Sequence, residues 1–329
     1  MKSSSTLFVK AGSAVLMTAV ILSGCTFKGK SASKSDAADH SFSIVTTIFA
    51  PYDFARQVAK DTGTSIKMLL PPGSEVHSWE PTAQDIISIQ KSGLFIYAGG
   101  KGDVWADKIV SASDSKLTAL RMTDCVHLFE EEHPEGMEPE KEEGKENEKA
   151  NEETEWDEHV WTSPENAKLI VQKICDILSI SDSAHADIYK RNTAAYIAQL
   201  SQLDSGFREI VKNAKRRTVV FADRFPARYF TEEYGLKYYA AFPGCSTDTE
   251  PSAATVAYII NKVKKEKIPA VFYIELSSQK MADTVCEAAG CKKLLFHSCH
   301  TLSKEDFAAG ATYLSVMQKN LQTVSEALN

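Results

Sequence analysis

The chain has 329 residues, 43% of them hydrophobic and 25% charged, with a formal net charge of −7. That length suits two lobes better than one simple domain, and the hydrophobic share is enough for ordinary cores. Between Glu130 and Glu158 lie fifteen acidic residues and three lysines, a local balance of −12. The rest of the chain is then at +5, too weakly basic to imply a nucleic-acid partner.

The first segment reads as an export signal over residues 1–24. Lys2 and Lys10 flank its start, and Ala11–Leu22 is apolar and small but too short to span a bilayer stably. It ends in Leu22-Ser23-Gly24-Cys25, which resembles a bacterial lipobox. That resemblance implies lipidation of Cys25 and a protein tethered outside the cytoplasmic membrane. Residues 25–40, rich in Ser, Ala, Lys and Asp, read as a flexible tether.

From Phe42 the pattern alternates. Strands are expected at Phe42–Thr47, Ser65–Leu70 and Leu94–Ala98, and helices at Pro51–Lys60, Ala83–Lys91 and Val104–Ser111. This is the β-α-β rhythm of an open parallel sheet, giving a first α/β lobe over residues 41–182. The acidic insert, about 130–156, has almost no apolar residues and is expected to carry no order of its own. Helices follow at Pro164–Leu178 and Ala184–Lys212. The second has Ile188, Tyr196, Leu200, Leu203, Phe207 and Ile210 at helical spacing, and reads as a stiff linker over residues 183–215. The second lobe, residues 216–329, resumes the alternation. Its expected strands are Thr218–Phe221, Lys237–Ala241, Val271–Ile274 and Leu294–Phe296. Its expected helices are Ala227–Tyr234, Ala253–Glu266, Lys280–Ala289 and Glu305–Leu328. The fold class is therefore α/β: two lobes, each a mainly parallel sheet flanked by helices, joined by one long helix.

Four of the eight histidines share a context. His77 follows the strand ending at Leu70 and precedes a helix with a Thr82–Asp85 capping box. His159 precedes a helix with Ser163 as cap and Pro164 at its first position. His297 and His300 follow the strand ending at Phe296 and precede Ser303 and Asp306, another cap pair. Loops leaving the carboxyl ends of parallel strands are where open α/β sheets bind ligands. Neutral imidazoles converging from several such loops suit Zn²⁺, while carboxylates in their place would favour Mn²⁺. His40, His127, His133 and His185 read as surface or packing residues. Six cysteines besides Cys25 allow disulfides without requiring them. Cys286 and Cys291 are close enough in sequence to pair, and Cys245 and Cys299 could bridge or bind metal.

The stretches "PPGSEVHSWEPTAQD", "DEHVWTSP", "EYGLKYYAAFPG" and "ATYLSVMQKN", with the lipobox, make the chain similar to the zinc/manganese solute-binding lipoproteins of bacterial ABC transporters, zinc-binding branch (cluster A-I). The resemblance runs from Phe42 onward. It implies two α/β lobes bridged by a rigid helix, with the metal in the cleft between them. His77 would be the first ligand and His159 the second. The acidic insert stands where zinc-binding members carry a loop rich in His and acidic residues. The implied activity is high-affinity Zn²⁺ capture by a non-enzymatic monomer, with delivery to a membrane permease and its ATPase. Two departures matter. After the first strand of the second lobe, where the family places a third ligand, "VVFADRFPARYF" offers Ala222 and Asp223 and no histidine. The family's last ligand, usually Asp, falls at His297. His297, with His300, is the expected replacement. Asp223, Glu275 and Cys299 are further candidates, Asp223 being equally able to pair with Arg224. Trp79 and Trp161 are expected to wall the cleft. A secreted zinc hydrolase is the competing reading, against which the chain has no H-E-x-x-H.

Overall fold

A computed structural model describes residues 42–76, 79–113, 117–133, 136–137, 155–244, 246 and 251–329. The expected signal, the tether, Cys25, His40, His77 and Cys245 lie outside the described residues.

The first lobe contains β1 (Ser43–Thr46), α1 (Phe49–Val58), β2 (Ser65–Met68), α2 (Ala83–Lys91), β3 (Leu94–Tyr97), α3 (Val104–Ala112) and β4 (Ala119–Arg121). Helices α4 (Pro164–Ser181) and α5 (Ala186–Asn213) follow. The second lobe contains β5 (Thr218–Phe225), α6 (Arg228–Tyr234), β6 (Lys237–Pro243), α7 (Ala253–Glu266), β7 (Ala270–Tyr273), α8 (Lys280–Ala289), β8 (Lys292–Leu295), α9 (Lys304–Ala308) and α10 (Tyr313–Leu328). Each lobe has a four-stranded sheet, ordered β2-β1-β3-β4 and β6-β5-β7-β8, and every pairing is parallel. The α/β two-lobe reading therefore holds. Leu94, Phe95, Ile96 and Tyr97 of β3 are all buried, as a parallel strand covered on both faces requires.

In both sheets the strand order reverses beside the first strand of the lobe, between β1 and β3 and between β5 and β7. A crevice opens outside the carboxyl ends of the strands at such a switch point. Thr47, Ala98, Ile274 and Glu275 all lie just past those ends.

Several elements differ from the sequence reading. β5 runs to Phe225, four residues past its expected end, so Ala222 and Asp223 lie within the strand and not after it. β4 has only three residues, too few to show a period. The expected final helix is two, because Gly310 adopts a left-handed conformation (φ 75°) and Thr312 then caps a new start through Ser315. The ends of the acidic insert are ordered. Glu130 and Trp156 form an antiparallel bridge, and Glu131 N–H donates to Glu155 O (2.8 Å).

α5 buries Tyr189, Thr193, Tyr196, Leu200, Leu203, Phe207 and Val211, one helical stripe. All of these except Thr193 join one continuous core holding Phe54 and Ile96 of the first lobe, Phe221 and Phe272 of the second, and Val316 and Val324 of α10. The lobes are thus also stitched directly. Phe49 N–H donates to His300 O (2.9 Å), Tyr313 N–H to Asp53 Oδ2 (2.8 Å), and the Trp161 indole N–H to Ser298 O (2.8 Å). Cys125, Cys175, Cys286, Cys291 and Cys299 are free thiols, with the sulfurs of Cys286 and Cys291 3.3 Å apart. Among the described residues no helix is long and apolar enough to cross a membrane.

Candidate metal centre

His159 sits in the short turn that delivers the chain into α4. Ser163 caps that helix by accepting from Asn166 N–H, and Thr162 binds the His159 carbonyl through both its N–H (3.1 Å) and its hydroxyl (2.8 Å). The ring is 1% exposed. Asp157 Oδ1 accepts from His159 N–H (2.8 Å) and lies 3.1 Å from Nδ1. The carboxylate favours the tautomer with its proton on Nδ1 and leaves a lone pair on Nε2. That Nε2 is buried and has no hydrogen-bonding partner among the described residues. Such an atom needs an explanation, and a cation supplies one. Burial works against the imidazolium, but Asp157, with Glu158 and Glu131 behind it, outweighs burial and holds the proton affinity above the ordinary value.

Glu158 is 2% exposed. Gly102 N–H donates to its Oε2 (3.0 Å), and a Cβ added at Gly100 would lie 2.2 Å from that oxygen. The glycine-rich turn after β3 is therefore shaped around this carboxylate. Asp103, also buried, accepts from Ala98 N–H (2.7 Å), Gly99 N–H and the Thr47 hydroxyl. Burial and the Glu158 charge push its carboxyl up to about 7. Among the described residues no lysine or arginine forms an ion pair with either carboxylate; the nearest basic atom recorded is His300 Nε2, 4.0 Å from Glu158 Oε1. Two buried carboxylates with no fixed countercharge among the described residues are costly unless a cation joins them.

His300 comes from the loop after β8. Its N–H donates to Ser298 Oγ (3.1 Å), and Glu275 holds Ser298 by accepting from its N–H (2.8 Å) and its hydroxyl. The ring lies edge-on to His159 (centroids 5.0 Å) and to Trp161 (4.8 Å). One ligand atom each from Glu158, His159 and His300 lies within 4.8 Å of the others. Donors around a tetrahedral Zn²⁺ at ~2.0–2.1 Å stand roughly 3.4 Å apart, so small side-chain shifts would close the group. The cavity beside it, lined in part by Thr47, Val76, Trp79, Asp103, Glu158 and His300, has a volume of about 10 Å³. That is room for one water-sized particle and not for an organic solute.

The structure thus brings His159 and His300 together and adds Glu158, which the sequence reading passed over. His297 is not brought into the group. Its Nδ1 accepts from Cys299 N–H (3.0 Å), which puts the proton on Nε2, and its backbone is fixed by Asn320 (2.9 and 2.8 Å). Asp223 is engaged by Arg224 N–H (2.8 Å) and Ile274 N–H (3.1 Å). Glu275 serves the Ser298 turn. Burial pushes the Cys299 thiol well up, so it stays protonated and is no thiolate. Val76 and Trp79, which flank positions 77–78, both line the cavity. The one signal for Glu158 in the sequence was the Asp-Glu-His run itself, set against the glycines at 99, 100 and 102.

Comparison with known proteins identifies a family and several similar chains. The family model for zinc-uptake complex component A (ZnuA, periplasmic) matches residues 44–327. The zinc-binding lipoprotein AdcA of Streptococcus pneumoniae (strain ATCC BAA-255 / R6) is 35% identical over 296 residues, 89% of this chain and 57% of that protein. The chain therefore spans a little over half the length of that relative. The high-affinity zinc uptake system protein ZnuA of Bacillus subtilis (strain 168) is 31% identical over 336 residues, 98% of this chain and 97% of that one. The crystal structure of the Zn(II)-bound ZnuA-like domain of Streptococcus pneumoniae AdcA superposes with a TM-score of 0.71 at 33% identity, covering 88% of this chain and 99% of that domain.

Proposed function

The chain belongs to the family of zinc-uptake complex component A, and on that premise we propose that it captures Zn²⁺ outside the cytoplasm and passes it to an ABC importer. The observation that carries the reading is the buried Glu158–His159–His300 group, with the Nε2 of His159 unsatisfied among the described residues and oriented by Asp157. His77, from the loop that Val76 and Trp79 frame, is the fourth ligand in this reading. His297 supports the loop and does not bind the ion. Closing over the ion joins a first-lobe turn to a second-lobe loop, so metal favours the closed arrangement by its differential affinity. The core running through both lobes keeps that movement small.

Delivery requires a permease and its ATPase as partners, and lipidation at Cys25 would keep the protein beside them. In this reading the protein is a monomer and performs no chemistry on its cargo. Manganese remains the second reading because of one observation: a carboxylate stands in the ligand group, beside the buried Asp103, where a third imidazole would favour zinc more strongly.

Metal titration of the purified protein tests the proposal. One equivalent of Zn²⁺ should bind, in preference to Mn²⁺ in direct competition, without peptidase or esterase turnover. His159→Ala, His300→Ala, His77→Ala and Glu158→Gln should each weaken binding by more than about 100-fold, while His297→Ala should cost clearly less. Preference for Mn²⁺ would select the second reading, and sustained hydrolysis would overturn both.

A further inference from the structure

The second lobe meets the first at a point where its strand offers no metal ligand. β5 has a bulge between Phe221 and Arg224, with one residue more than the facing stretch of β6. A bulge re-aims the side chains around it. Ala222 packs with Val220, Ile259, Val263 and Val271 under the helices of its own lobe. Asp223 is spent on two backbone N–H groups. Arg224 is the residue that reaches the cleft. Its guanidinium, 9% exposed, meets the Glu75 carboxylate as a fork: Nη1 to Oε1 is 3.1 Å and Nη2 to Oε2 is 3.5 Å. Nη1 also points to Ser246 O at 3.5 Å.

Glu75 lies in the loop between β2 and α2, two residues before His77. That loop is tied to the second-lobe side a second time by Gly73 N–H donating to Leu302 O (2.7 Å). Arg224, Glu75, Val76 and His300 line one small cavity, so the ion pair stands beside the metal group. From these positions we propose that Arg224 and Glu75 form a latch between the lobes that holds the His77 loop at the cleft. It acts where β5 contributes no metal ligand, and it rests on the metal-capture reading for its use.

Each partner belongs to a different lobe, so the pair exists only when the lobes are together, and its free energy favours that arrangement before any metal arrives. The latch has a second effect. A lone guanidinium beside a cation site would repel the ion, and the Glu75 carboxylate neutralises it. Without Glu75, Arg224 would be a buried charge with one long contact left, so the pair should behave as a unit. Both are positioning residues.

The test uses the full folded chain and has two readouts. In metal-free protein, hydrogen exchange at Ser74–Val76 is measured for wild type, Arg224→Met, Glu75→Gln and the double variant. Each single substitution should speed exchange by about tenfold, and the double should add little to the larger single effect. In zinc-loaded protein, chelator-driven Zn²⁺ release should be several-fold faster in each single variant. Raising the ionic strength should narrow that difference, and Arg224→Lys should restore part of it. Glu75→Gln, at a half-exposed position, keeps the test open if Arg224→Met fails to fold. Equal exchange in all variants, or fully additive single effects, would overturn the latch whether or not zinc binds. Absence of zinc binding in wild type would overturn the capture reading and leave the exchange result standing.

Discussion

His159 carries several constraints on one ring: a carboxylate behind it, an aromatic wall beside it and, in front, a nitrogen with no partner among the described residues. The wall is Trp161, with ring centroids 5.5 Å apart. Gly244 approaches so closely that a Cβ there would lie 2.7 Å from Cε1 of the imidazole. The ring is therefore held where a ligand is needed, and Asp157 sets its proton. In the capture reading zinc and a proton compete for Nε2, and the proton affinity is raised. Zinc affinity should be full above that raised pKa and fall as pH drops through it, earlier than for an isolated imidazole near ~6.5. Asp157→Asn should weaken zinc binding about 10–100-fold at neutral pH and shift the acid loss of binding to lower pH. Zinc titrations from about pH 8 to about pH 5 read both, and an unmoved midpoint would remove Asp157 from its orienting role. Of the three side chains that come together, His159 and His300 stood out in the sequence because a histidine beside a helix cap is conspicuous. Glu158 was not, since it stands among fifteen acidic residues and gives no sign of being among the buried ones. The choice of His300 over His297 rests on which ring nitrogen a backbone N–H occupies, which spacing cannot show.

At the scale of elements, helix starts were the most legible feature. The Thr82–Asp85 box, Ser163 with Pro164, and Ser303 with Asp306 all form the caps that the residues announce. β4 is too short to show a period. The break before α10 was hidden in Ala309-Gly310-Ala311, where a single glycine can end a helix or be tolerated in one. The acidic insert was half legible. Its composition has few apolar groups to bury, yet its ends form a paired stem against the second lobe. Arg228 binds Glu132 (2.7 Å) and Glu232 (2.9 Å), and Tyr229 donates to Asp157 O (2.8 Å). The stem thus reaches the backbone of Asp157 itself. Deleting residues 138–154 and leaving the stem should keep zinc affinity within a few-fold. A collapse of affinity in that titration would mean that the deleted segment supplies a ligand.

For the whole molecule, the two-lobe plan followed from the alternation of strand and helix, but the continuity of the core did not. A sequence shows which residues are apolar and not that Phe54, Tyr196, Phe221 and Val324 belong to one packed body. Residues 41–329 form one compact unit. Unfolding of the metal-free protein should therefore be a single transition in which fluorescence and circular dichroism coincide. Zinc at about 100 times its dissociation constant should add about 2.7 kcal/mol and raise the midpoint. Two resolved transitions would show lobes that fold separately and would weaken the case for a small closing movement.

The most direct measurement is anomalous diffraction at the zinc edge from crystals of the zinc-loaded protein. The account predicts one peak between the lobes, ~2.0–2.2 Å from Nε2 of His159, a nitrogen of His300 and a carboxylate oxygen of Glu158. A peak bound instead through His297 or a cysteine sulfur, or no peak in that cleft at full zinc loading, would contradict it.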